Sequence, residues 1–292
     1  MTATKEPRTV DVVGVRIAGG RIADDVRAVR VVWKRELIRF GRSRVRIFTS
    51  LAQPILFLFV LGTGLSSIVP RRTGSVDYRT FMFPGVLAMT VLFTAMFSAI
   101  SIVWDREFGF LREMLVAPVR RTSLVIGKCI GGATVATIQG AMILVLAGLV
   151  NVPYDPLMML ELFGLLLLTA LAITSFGTAI ASRMGQVESF QMVMQFTVLP
   201  MFFLSGALFP LTGLPPWLRV LTRLDPLSYA VEPMRRAVIA ALPGHDSRVL
   251  SRLDTGITWG GWHVPIAVCV LVVAVFAFGS LVAASLQFNR IE

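Results

Sequence analysis

The chain has 292 residues, 55% of them hydrophobic and only 15% charged, with a mean hydropathy of +0.75 and a net charge of +11. Soluble domains carry about 25% charged residues, so a water-soluble core is excluded. The apolar residues instead fall in blocks of the ~20 residues that cross a bilayer as helix. The positive balance does not mark a nucleic-acid binder, because the cations gather beside the first apolar block.

In chain order, residues 1–22 are polar and glycine-containing and are expected to be a disordered tail. Residues 23–46 follow as an amphipathic interfacial helix. Val26, Val29, Trp33, Leu37 and Phe40 share one face of it, and Arg27, Lys34, Arg35, Arg39 and Arg42 the other. A basic helix of this kind lies in the membrane interface. Two readings stand, simple anchoring and contact with a partner.

Six spans are then predicted at about 47–69, 80–104, 124–150, 157–181, 189–210 and 263–287, together filling a transmembrane domain over 47–288. Backbone amides in hydrocarbon must be satisfied within the segment, so these are helices. Twelve basic residues precede the first span, and by the positive-inside rule they put both chain ends in the cytoplasm. Six basic residues between 211 and 262 run against the rule, which long translocated segments obey poorly. Residues 210–263 hold two helical patterns broken at Pro215-Pro216 and Asp225-Pro226, each too short to cross. They are expected as half-helices on the outer face. The fold class is therefore an all-α integral membrane protein with six transmembrane helices, an N-terminal amphipathic connecting helix and outer half-helices between spans 5 and 6.

Between spans 2 and 3 lies a charged amphipathic insert. Asp105, Arg106, Glu107, Arg112 and Glu113 are mixed-sign charges, Phe108, Leu111 and Leu115 form a stripe, and Pro118 ends the stretch. Such a stripe either docks into a groove on another protein or rests on the headgroups. Polar residues within spans are costly and mark candidate sites; Gln139, Glu161, Gln191 and Gln195 qualify. Gln191 and Gln195 share a face of span 5 and either bond to another helix or touch cargo. Phe93, Phe97 and Phe202 are candidates for an apolar conduit or for ordinary packing.

Two stretches carry a family resemblance. DREFGFLREMLVAPVRRTSLVIGK (105–128) resembles the cytoplasmic loop of type-2 ATP-binding-cassette (ABC-2) exporter permeases, particularly the daunorubicin-resistance subgroup. FFLSGALFPLTGLPPWLRVLTRLDPLSYAVEPMRRAVI (202–239) resembles that family's fifth span and outer half-helices. The resemblance implies a twelve-span dimer of two permease subunits, identical or related. Each would dock a separate ATPase subunit, which binds ATP and magnesium, through the loop formed by Asp105, Arg106, Glu107, Phe108, Gly109, Leu111, Arg112, Glu113 and Pro118. It also implies that the connecting helix, with Trp33, Arg35 and Leu37, packs near that loop. The cargo path would be lined by spans 2 and 5, where Phe93, Phe97, Gln191, Gln195 and Phe202 lie. Arg112 stands where the family often has an acidic residue, which leaves Glu107 and Glu113 as the nearer acids.

The expected function is export of a bulky amphipathic cargo, drug-like or lipid-like, from a bacterial cell. Export of a polysaccharide or lipid-linked glycan is the alternative, and an ion-driven transporter a more distant one. No catalytic residue, metal site or cofactor is expected in this chain. Gly127-Lys128 is followed by Cys129 and lacks the glycine loop of a P-loop, and His245 and His263 have no zinc spacing. Leu204-Ser205-Gly206-Ala207 is read as packing within span 5. The partners implied are the ATPase, a second permease subunit and membrane lipid, without nucleic acid.

Overall fold

The computed structural model describes residues 22–66, 77–109, 120–211, 213–242, 257–259 and 262–289. The expected N-terminal tail, apart from Ile22, and Leu111, Arg112, Glu113 and Pro118 lie outside the described residues. Six helices are long and apolar enough to cross a membrane: Ile47–Leu65, Tyr78–Glu107, Arg121–Leu144, Pro156–Ala181, Val187–Leu204 and Ile266–Phe288, spans 1 to 6. With them run a connecting helix, Ile22–Arg42, and two half-helices, Pro216–Leu224 and Pro226–Ala240.

Spans 2, 3 and 4 form the centre. Span 2 is 83% buried, against 17%, 28% and 22% for spans 1, 5 and 6, so these three present apolar faces outward. Span 2 begins at Tyr78 because Asp77 caps it, its carboxylate accepting from the Arg79 amide at 3.3 Å. Pro84-Gly85 marks where the chain after span 5 crosses span 2. A Cβ on Gly85 would lie 2.3 Å from the Ala207 carbonyl oxygen, so only glycine permits the crossing. Span 4 opens on Asp155-Pro156, an N-cap followed by a proline whose missing amide proton costs nothing there. One buried polar link joins spans 1, 2 and 3: the Gln139 amide donates to the Ser50 hydroxyl and accepts from Thr94.

Several expected boundaries move, and span 2 runs to Glu107 rather than 104, taking in the first three residues of the expected insert. The amphipathic segment is not continuous to 46, because Ser43 interrupts it and a second helix starts at Arg44. Span 3 stops at Leu144 rather than 150. The Tyr154 hydroxyl takes up the freed carbonyl of Val145 at 2.6 Å, and the chain turns through left-handed Asn151. Span 5 ends at Leu204, not 210, so Ser205-Gly206-Ala207 forms a turn with Gly206 at φ 70° rather than helix packing. Pro54 interrupts the amide ladder of span 1, and the π-helical stretch Phe57–Leu61 follows directly.

The half-helices sit at the end of the bundle away from the connecting helix. The first exposes Trp217, Val220, Leu221 and Leu224 along one side, the pattern of a helix lying in the interface. The second is buried from Leu227 to Ile239 apart from Arg236, and packs within the bundle rather than on its surface. It opens on Asp225, whose carboxylate accepts from the Leu227 amide at 3.1 Å and the Ser228 hydroxyl at 3.2 Å. Burial outweighs those bonds and pushes the Asp225 carboxyl up to about 7. Arg235, 1% exposed, donates to the Gly206 carbonyl and lies 4.3 Å from the Phe81 ring centre. Glu232 accepts from Arg236 at 2.7 Å.

Candidate functional site: the root of the charged loop

Three consecutive side chains at the end of span 2, the first of the expected insert, each engage a different part of the bundle. Asp105 is 3% exposed and faces inward. It accepts from Arg35 of the connecting helix at 2.9 Å and from Lys128 of span 3 at 2.5 Å, with Arg39 at 3.9 Å. Glu36, 6% exposed, lies 3.5 Å from Arg35 and 3.9 Å from both Arg39 and Lys128. Lys128 also donates to Ser101 at 3.2 Å. The result is a buried cluster of two carboxylates and three cations spanning three helices. Ions survive burial only when paired and hydrogen-bonded, so this charge set fixes the relative position of those helices.

Arg106 turns the other way. Its guanidinium donates to the carbonyls of Ser182 and Met184, both at 3.3 Å, just past the end of span 4. A cation there meets the negative end of the helix dipole. Glu107 accepts from the Val187 amide at 2.8 Å, at the first turn of span 5. Gln186, the residue at that helix's own N-cap, makes no side-chain cap bond, so the cap is supplied from span 2. Phe108 is 68% exposed and Gly109 has φ 80°, a left-handed conformation just past the end of span 2.

The connecting helix meets this root at close range because span 3 is notched. A Cβ on Gly127 would lie 2.9 Å from the Val32 Cβ, and one on Gly131 would lie 2.9 Å from the Glu36 Cβ. Trp33 donates to Thr134 at 3.1 Å, and Asp25 accepts from Ser123 at 2.9 Å with Arg120 at 3.5 Å. The inward face is thus Val32, Glu36 and Phe40, with Trp33, Arg35, Leu37 and Arg39 half-buried. The apolar face drawn from the sequence is rotated from this one, and Val26 on it is 61% exposed. Paired charge, rather than apolar surface alone, points into the protein.

The expected conduit residues separate. Gln191 and Gln195 are exposed on one side of span 5, beside Met192 and Phe196 at 72% and 86% exposure. Phe97 is 41% exposed and Phe93 half-buried, one turn apart on span 2. Phe202 is 2% exposed, with its ring 5.9 Å from Phe57 and 5.5 Å from Phe203, so within this subunit it is core. Glu161 is exposed on span 4. Sequence reasoning passed over Glu36, Lys128, Gly127 and Gly131. The glycine pair had a legible signal, the Gly-xxx-Gly spacing of close helix contacts; the ion partners had none.

A six-span helical bundle with a charge-braced root at one end and two half-helices at the other defines a multi-pass membrane protein. Comparison with known proteins bears on the class directly. The sequence profile of the family described as ABC-2 type transporter matches residues 27–239. The chain is 31% identical over 209 residues to a protein named transport permease ycf38 of Cyanophora paradoxa, covering 70% of this chain and 72% of that one. It is 30% identical over 216 residues to the ycf38 permease of Porphyra purpurea, covering 72% and 73%. It is also 30% identical over 207 residues to nodulation protein J of Rhizobium leguminosarum bv. trifolii, covering 70% and 78%. The chain belongs to the ABC-2 type transporter family, whose permeases generally work with an ABC ATPase subunit.

Proposed function

We propose that this chain is the permease subunit of an ATP-driven exporter, and that a separate ATPase subunit docks on residues 105–121. ATP and magnesium would bind on that partner, since the sequence here lacks a P-loop. The observation that carries the reading is the linkage at Asp105, Arg106 and Glu107. A displacement of the loop that follows them pulls at once on the connecting helix, on span 3, on the end of span 4 and on the start of span 5. Coupling between sites needs such a contiguous element with more than one arrangement. Phe108 is exposed for the ATPase to meet, and Gly109, Leu111, Arg112, Glu113 and Pro118 are the further residues that the family resemblance assigns to that contact. Asp105 holds the loop's root from inside.

The rest of the reading follows from exposure and charge. Residues 47–288 act as the transmembrane domain and 23–46 as its connecting segment. The lightly packed face of span 5 meets a second copy or a related permease, and Phe93, Phe97, Gln191 and Gln195 border the path between them. That face carries carboxamides among apolar side chains, which suits a bulky amphipathic cargo, and the likeness of 105–128 and 202–239 to daunorubicin-resistance permeases supports a drug-like one. A polysaccharide or lipid-linked glycan is the second reading, favoured by the exposed amides of Gln191 and Gln195, which offer donors and acceptors to hydroxyls. The basic amino-terminal segment orients both termini to the cytoplasm of a bacterial cell membrane, and the likeness to exporter permeases supports outward transport.

The test is reconstitution with the partner ATPase. Glu107→Gln and Phe108→Ala are expected to cut cargo-stimulated ATP hydrolysis by about an order of magnitude, within the range of typical coupling energies. Membrane insertion and dimer size should persist. Undiminished stimulation in both variants would overturn the docking assignment.

A further inference from the structure

We propose that a groove between spans 4 and 6, opening at the connecting-helix end of the bundle, is a binding site for one anionic phospholipid of the adjacent leaflet. The groove encloses about 690 Å³. Its walls are Phe176, Ile180, Val275 and Phe276, with the two rings 5.4 Å apart, and its floor is kept low by Gly279 and Ala283. The hollow is real space, since a Cβ on Gly279 would meet nothing within 4 Å.

Arg183 and Gln287 stand at one end of the groove. Arg183 is exposed and has no acidic partner among the described residues, and Gln287 is held by the Ser182 hydroxyl at 2.9 Å. Arg106 is committed to the carbonyls on either side of Arg183 and does not line the groove, which leaves Arg183 as the cation that meets the headgroup. From this basic end the trough descends seven residues along span 4 to Phe176 and twelve along span 6 to Val275. At 1.5 Å per residue those are about 10 Å and 18 Å. A single leaflet's hydrocarbon is about 15 Å deep. Positive charge at headgroup level above an apolar trough of leaflet depth matches an anionic headgroup with its acyl chain, the arrangement of basic pockets between membrane helices that hold acidic lipids. A zwitterionic headgroup would add a quaternary ammonium that the Arg183 guanidinium does not complement. The proposal depends on neither the cargo nor the ATPase.

Native mass spectrometry of the intact protein would test it, using phosphatidylglycerol and phosphatidylcholine with the same acyl chains. The wild type should retain phosphatidylglycerol about fivefold better, the factor one guanidinium supplies near an anionic lipid. Arg183→Gln should bring the two lipids to parity, and Gly279→Leu, which fills the trough, should reduce retention of both. Arg219→Gln, on the far half-helix, should change neither. Equal retention by the wild type, or a preference that survives in Arg183→Gln, would overturn the proposal. So would a disulfide between two copies through Ala283→Cys, which would make the groove a subunit interface.

Discussion

The two ends of this bundle bury charge in opposite ways. At the connecting-helix end, Glu36, Asp105 and Lys128 are paired across three separate helices, with Arg35 and Arg39 completing the set. At the far end, Asp225 accepts from the helix it caps, Glu232 accepts through one oxygen from a neighbour four residues on, and Arg235 donates to a backbone carbonyl and lies over a ring. Glu232 Oε2 and Arg235 Nε have no hydrogen-bond partner among the described residues. No ion pair among the described residues joins two elements there. Burial exacts a similar desolvation cost at both ends, but the solutions have different mechanical consequences. Pairing between helices makes a joint that senses how those helices stand relative to one another. Bonding that stays within one half-helix, or reaches only a backbone carbonyl and a ring, carries no charge-to-charge link that reports how two helices stand. Only the first suits a place where an outside partner pushes.

The contrast breaks most visibly at Asp105 and Lys128. Asp105→Asn or Lys128→Met alone leaves a buried charge without its main partner and is expected to cost about 3–5 kcal/mol. The double variant should recover a large part of that loss, so a thermodynamic cycle in detergent would give a coupling well above the ~0.5 kcal/mol limit of independent sites. Simple additivity would mean that the helices are held by packing and that the ion pair is incidental. Gly131→Leu comes next, because it pushes a side chain into the Glu36 stem without touching any charge. Overpacking of this kind costs about 1–3 kcal/mol. Amide exchange across residues 29–40 should rise while that of 226–240 stays unchanged. An equal rise in both would show that the two ends are not mechanically separate.

How far the sequence foretold this arrangement differs by physical cause. The spans were legible because charge is nearly absent from them and crowded between them, a signal summed over twenty residues. The boundaries that moved were decided by single distant contacts, such as Tyr154 reaching Val145 or the turn at Gly206, which leave no periodic trace. Asp105, Arg106 and Glu107 stood out as charges beside an apolar run, yet their partners Arg35, Lys128, Ser182 and Val187 lie between 23 and 80 positions away in a pattern no local rule encodes. Glu36 was the hardest to read, since a carboxylate in a basic helix is ordinarily a solvated residue. It turns inward only because span 3 brings Lys128 beside it and Gly131 makes room.

The smallest expected effect lies at the far end and concerns protons. The Asp225 carboxyl is raised from 3.8 to about 7, first by burial and against the pull of its hydrogen bonds from Leu227 and Ser228. A raised acid is neutral in the fold over a range where the unfolded chain is already ionised. Its contribution to stability is therefore complete below pH about 3.8 and is lost as pH rises toward 7, after which the deficit stays constant. Between about pH 6 and 8 the loss is on the order of 1 kcal/mol by linkage. Asp225→Asn keeps a good capping side chain without the titration, so thermal unfolding of the variant should be flatter across this interval than that of the wild type. The same scan on Asp105→Asn should leave the slope intact, because Asp225 still titrates in that variant. A wild-type profile already flat from pH 6 to 8 would mean that water reaches Asp225, and that this end is looser than the joint at the other.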